Sequence, residues 1–170
     1  TDIEDQKETI QKKIEESNLI EQTSNILHGQ MISTVKIDDM IVNLTGIENV
    51  PNYRNYNKFM EFKISIFDEG FQALDTEENT FMSTKTYAET LNLKKGDSVL
   101  FDFGSETKEF KLVEIYDNKT GFNSVLTKSE NIPDSVRLTV PTMYFYQSKS
   151  SPEETKKELK RILKDFDVGI

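Results

Sequence analysis

Apolar positions follow a helical period at both ends of the chain and mostly a period of two in between. Near the start, Ile3, Ile10 and Ile14 are spaced by seven and four. This spacing predicts a helix over residues 2–17 with one narrow packing stripe, acids (Asp2, Glu4, Asp5) at its N-terminal end and Ser17-Asn18 at its stop. Near the end, Ser150-Ser151-Pro152-Glu153-Glu154 combines a serine N-cap, proline at the first helical position and acids in the first turn. Thr155, Leu159, Ile162, Leu163 and Phe166 then supply one apolar face, and a strand over Met143–Gln147 leads into it.

The best-marked interior stretch is Phe81 to Phe103. Ser83 or Thr84 can cap a short helix whose face is Tyr87, Ala88 and Leu91, and Leu93 prolongs the contact. Lys94-Lys95 suits the negative end of that helix, Gly96-Asp97 turns the chain, and Val99, Phe101 and Phe103 alternate along a strand. A hairpin turn at Gly104–Thr107 returns it through Phe110, Leu112, Val113 and Ile115, whose change of parity predicts a β-bulge. Before this stretch, residues 19–50 read as strands around Ile26-Leu27, Met31–Val35 and Met40–Ile47, with Asp38-Asp39 as a turn. Residues 51–58 (PNYRNYNK) read as a loop, 59–67 as a strand with Met60, Phe62, Ile64 and Ile66 inward, and Asp68-Glu69-Gly70 as a turn. Residues 75–79 read as a solvated acidic loop, Asp117–Gly121 as a turn, Phe122–Leu126 and Val136–Val140 as strands, and 127–134 as a loop.

The fold class expected is therefore α+β: a small two-helix α+β core built from both chain ends (residues 1–50 and 141–170), with an inserted β-rich part (51–140) carrying one short helix.

Composition narrows the chemistry. The 170 residues carry a net charge of −9, which argues against nucleic acid and anionic lipid as partners, and Arg54, Arg137 and Arg161 are the only arginines. The absence of cysteine removes thiolate catalysis and cysteine metal sites, and His28, the single histidine, has no second imidazole to build a zinc site with. No metal, cofactor or catalytic set is expected: Asp68/Glu69 and Glu77/Glu78 are adjacent acids of the kind that loops leave solvated, and no serine partners His28. The site residues singled out are Tyr53, Arg54 and Tyr56, whose aromatic-plus-polar chemistry is that of an interaction surface. No run of apolar residues is long enough to span a membrane. The opening TDIEDQKE and the closing Asp167-Val168-Gly169-Ile170 read as the ends of a piece of a longer polypeptide.

Over Phe81–Asp117 the chain resembles the extracytoplasmic domain of FtsX/MacB-type ABC transporter permeases, a family that includes BceB-like antimicrobial-peptide permeases. The matching residues are Ser83, Tyr87, Ala88, Leu91, Leu93, Lys95, Gly96, Asp97 and Val99, with the return strand Phe110–Ile115. The C-terminal strand and helix look like the family's second core βα unit, and the Ile3–Ile14 helix like part of the first. The resemblance implies a non-enzymatic domain on the extracellular face of the membrane, tethered by flanking transmembrane helices and coupled to an ABC ATPase through the full-length permease. Its ligand would be a peptide, a lipid or a lipoprotein, and the composition suits a Gram-positive source. The competing expectation is a free-standing cell-surface binding or adhesion module that uses Tyr53–Tyr56.

Overall fold

The computed structural model describes residues 2–19, 28–59, 68–117, 123–146 and 148–170. It is an α+β protein of two compact units, Thr1–Leu27 with Phe145–Ile170, and His28–Tyr144.

In the terminal unit, α1 (Asp2–Glu16) ends where Asn18 takes a positive φ of 60°. Helix α6 (Pro152–Ile162) is capped by Ser151, whose side chain accepts from the Glu154 N–H, with Pro152 in its first turn. The expected faces meet: Ile14 and Leu163 are buried, packed by Ile10, Leu19, Tyr146, Leu159, Ile162 and Phe166.

The larger unit is built on a ring of strands. In it β1 (His28–Ile37) pairs with β2 (Met40–Ile47), β2 with β6 (Val125–Lys128), and β6 with β3 (Thr80–Thr84). β3 then pairs with β5 (Thr107–Tyr116), β5 with β4 (Ser98–Asp102), and β4 returns to β1 through Lys36 and Asp102. A further strand, β7 (Thr142–Phe145), lies beside β1. The β1–β2 hairpin closes through Asp38 and Asp39, both with positive φ, which is the twist that two-residue hairpins favour.

The ring interior holds Val35, Ile37, Val42, Leu44, Phe81, Phe101, Phe110, Leu112 and Val125, all nearly or fully buried. Neighbouring residues on the same strands face the other way into a second cluster of Ile47, Met82, Val113 and Leu126 with Val50, Phe71 and Leu74. Helices α2 (Val50–Phe59) and α3 (Asp68–Thr76) supply those last three, so β3 is buried on both faces. The predicted bulge is present: Phe81 faces Leu112 but Met82 faces Glu114, so Val113 is the extra residue and turns into the second cluster. Helix α4 (Lys85–Thr90) is capped by Thr84 and buries Tyr87 and Ala88, while Ser83 stays in β3.

Four local expectations are corrected. Residues 51–58 belong to helix α2, not a loop: Asn49 caps it by accepting from the Asn52 N–H (3.0 Å), and Pro51 sits in the first turn, where no amide partner is needed. Asp68-Glu69-Gly70 opens α3 rather than turning the chain, and Gly70 permits close approach, since a Cβ there would stand 2.6 Å from that of Glu114. Val136–Val140 is not a strand: Pro133 precedes the short α5 (Asp134–Arg137), and Val136 and Val140 pack against the ring core from a helix and the turn after it. Lys128 and Thr127 end β6, and Ser129–Asn131 form a 3₁₀ turn where a loop was expected. Of the strand expected over 59–67, Phe59 ends α2 and residues 60–67 lie outside the described residues, as do the strand expected around Ile26-Leu27 and most of the Asp117–Gly121 turn.

Candidate functional site

Helix α2 carries the singled-out residues, and the end of the ring beside it carries a polar network. Tyr53 is half-buried, with its ring 6.1 Å from that of Phe71 at an angle of 57°. Arg54 is half-buried on the next helical position, and Tyr56 lies one turn beyond Tyr53 along the same helix. The structure thus keeps Tyr53 and Arg54 together on one rigid element and makes Tyr53 a packing residue of the second cluster. Tyr53→Ala should lower stability by about 1–3 kcal/mol, read as a lower urea midpoint, and Tyr53→Phe should retain most of it.

Tyr116 lies beside Tyr53 in that cluster. Burial first, and then the neighbouring phenols of Tyr53 and Tyr87, push its hydroxyl well above the usual tyrosine range. It remains protonated and donates to the Ser124 carbonyl (2.8 Å). A phenol so held is neither a base nor a nucleophile at neutral pH; it satisfies a buried carbonyl.

Around it the hydroxyls and amides were missed by reading the sequence, because Ser, Thr and Asn in strands give no pattern. The Thr45 and Ser124 hydroxyls share a hydrogen bond of 2.9 Å, and Ser124 also donates to the carbonyls of Asn43 and Val125 (both 3.1 Å). The Asn43 amide donates to the Asn123 carbonyl, the Thr84 hydroxyl bonds the Asn123 side chain, and the Asn43 N–H donates to the Tyr87 hydroxyl. Each group is matched, so the network seals β6 against its parallel neighbour β2 and its antiparallel neighbour β3.

The carboxylates considered earlier stand apart from this network. Glu77 and Glu78 are exposed after α3, with Glu77 4.0 Å from the Lys111 ammonium, and Glu69 is exposed in the first turn of α3. Among the described residues no three His, Cys, Asp or Glu side chains converge on a possible metal position. None of the described helices is long and apolar enough to cross a membrane.

With this architecture in view, the chain is similar in fold to solved domains of a transporter and a permease. It is similar to the extracellular domain of the noncanonical ABC-type transporter YknZ from Gram-positive bacteria, with a TM-score of 0.55 and 14% identity over 91% of this chain and 81% of that one. It is likewise similar to a domain assigned to a permease protein from Porphyromonas gingivalis, with a TM-score of 0.52 and 9% identity over 92% of this chain and 69% of that one. At such identities the likeness is one of fold. No protein-family model matches the chain, and no curated protein matches its sequence.

Proposed function

We propose that the chain is the extracellular domain of an ABC transporter permease of the FtsX/MacB type. Its role is non-enzymatic: it transmits conformational change, or binds an exported or sensed ligand or a partner protein. The observation that supports this is a single fold shared over 91% of the chain with the extracellular domain of an ABC-type transporter. The residues Ser83 to Val99 that suggested the family fall on the β3–α4–β4 connection of that fold.

In this reading transmembrane helices outside the chain tether it, and the permease links it to an ABC ATPase. A part built from both chain ends would carry the tethers, with the β-rich part inserted in its sequence. The net charge of −9 favours a cationic ligand at low ionic strength, as for a BceB-like sensor of antimicrobial peptides, and, separately from that charge, Tyr53, Arg54 and Tyr56 of α2, a helix without acidic residues, are the residues we assign to ligand or partner contact.

Topology can be tested directly, because the chain has no cysteine. Glu106→Cys, exposed at the β4–β5 turn, should react with a membrane-impermeant maleimide on intact cells expressing the full-length protein. Labelling only after lysis would place the domain inside the cell and end this reading.

A further inference from the structure

The chain is acidic as a whole, but helix α6 is not acidic on every side. Its apolar residues Leu159, Ile162 and Leu163 belong to the cluster around Ile14. At about 3.6 residues per turn, Lys156, Lys157, Lys160 and Arg161 fall together within an arc of about 140° away from that cluster. All four are exposed, and so is Lys164, directly after the Leu163 C-cap. Glu154 and Glu158 fall beyond the edge of the arc, and Glu153 heads it from the first turn, where the helix dipole favours an acid. Among the described residues Lys156, Lys157, Lys160 and Lys164 form no ion pair, whereas Arg161 is held by Glu158. The dipole favours Lys160 and Arg161, which stand in the last turn. It does nothing for Lys156 and Lys157, because its influence ends within one turn of the terminus.

We propose that this basic face of α6 lies against the anionic phospholipid headgroups of the membrane to which the chain is tethered, an inference that rests on the permease reading above. Charge complementarity gives the occupant its sign, and three observations favour a lipid surface. Four of the five cations are lysines, mobile point charges that suit a diffuse layer of phosphates, where arginine suits a planar bidentate partner. Val168 and Ile170 follow the basic face with 39% and 42% of their surface exposed, and such side chains enter the boundary between headgroups and acyl chains. In the permease reading α6 belongs to the part that carries the tethers, so its cations are close to the bilayer without any binding step of their own. The net charge of −9 opposes docking of the chain's surface at large, but at physiological salt the screening length is about 8 Å. Acids on elements farther from the lipid than that contribute little, so the local sign of α6 decides.

Sedimentation of the chain with phosphatidylglycerol vesicles and with phosphatidylcholine vesicles tests the proposal. At about 0.15 M salt each unpaired lysine at an anionic surface strengthens association about five-fold, so half of the chain should be bound near 1 mM accessible phosphatidylglycerol. Phosphatidylcholine should bind little of it. Lys156→Gln/Lys160→Gln/Lys164→Gln should weaken binding about a hundred-fold, with far-UV circular dichroism unchanged because glutamine suits exposed helix positions. Lys85→Gln/Lys94→Gln/Lys111→Gln makes the same change in net charge at exposed sites of the larger unit and should leave binding within about two-fold of the parent. If the α6 variant does not fold, the unaltered chain decides alone: its binding should vanish near 1 M salt, where the screening length is about 3 Å. Absence of binding to phosphatidylglycerol would overturn the proposal, as would equal binding to both lipids, survival of binding near 1 M salt, or equal weakening by the two triple variants. Labelling at Glu106→Cys separates this proposal from the reading beneath it. Labelling on intact cells without vesicle binding leaves the permease domain and removes the lipid contact, and vesicle binding with labelling only after lysis does the reverse.

Discussion

Phe101→Ala should lower the unfolding free energy by about 3–5 kcal/mol, the largest effect expected of any single truncation in the ring. Phe101 is fully buried and stacks on Phe110 (centroids 4.2 Å apart, planes 17°), with the edge of Phe81 4.9 Å away. These aromatic contacts add to the transfer energy of the side chain. The cavity left behind could not easily close, because β3 and β5, which carry Phe81 and Phe110, are hydrogen-bonded to strands on both sides. Against a total of about 5–15 kcal/mol for a domain, such a loss would move the urea midpoint far while leaving the slope of the transition nearly unchanged. Leu100→Ala, one residue earlier on the outer face, should change stability by no more than about 0.5 kcal/mol. Comparable losses at the two positions would mean that the alternation along β4 does not divide interior from solvent.

That alternation was legible in the sequence because each side chain of β4 meets only one environment. Val99, Phe101 and Phe103 face the ring core, and Ser98 and Leu100 face water, so the period of two is clean. The capped helix at Thr84, the Gly96-Asp97 turn and the Ser151-Pro152 helix start were legible for a similar reason: each depends on residues within one turn of chain. The change of parity in β5 also signalled a bulge, which the structure places at Val113. Helix α2 was illegible because its stability comes from tertiary packing. Its sequence VPNYRNYNKF has high asparagine content and no apolar stripe, and the Asn49 cap lies outside the segment that looked like a loop. The helix forms because Val50 and Tyr53 pack on Phe71 and Leu74 of α3, a contact between residues far apart in sequence. The same blindness affected the candidate site. Tyr53 looked like a surface aromatic but is shared between packing and exposure. The Thr45–Ser124 hydroxyl pair joins residues whose partnership exists only once β2 and β6 lie parallel.

Leu163→Ala should destabilise the terminal unit by about 2–5 kcal/mol, and its effect should be local. That unit has a thin core: among the described residues only Ile14 and Leu163 are its buried apolar side chains, each 5% exposed, and the others that pack on them are half-exposed. Leu163 sits at the C-cap of α6, where its N–H donates to the Leu159 carbonyl (2.9 Å); truncation leaves that backbone bond in place and removes the side-chain contact with Ile14. A cluster this small has few neighbouring side chains able to fill the void, so the loss should lie toward the upper part of the range. Hydrogen exchange is the measurement, because it reports opening residue by residue. Amides of α1 and α6 should lose protection by about two to three factors of ten, 1.4 kcal/mol corresponding to each factor, while those of β3 and β5 in the ring keep theirs. Ile14→Ala should reproduce the pattern from the other helix, and the double variant should fall short of the sum, because the two side chains contribute to one contact. If β3 and β5 lost protection in step with α6, the two units would be unfolding as one cooperative body, and the thin helical pair would be held by more than the cluster around Ile14 and Leu163.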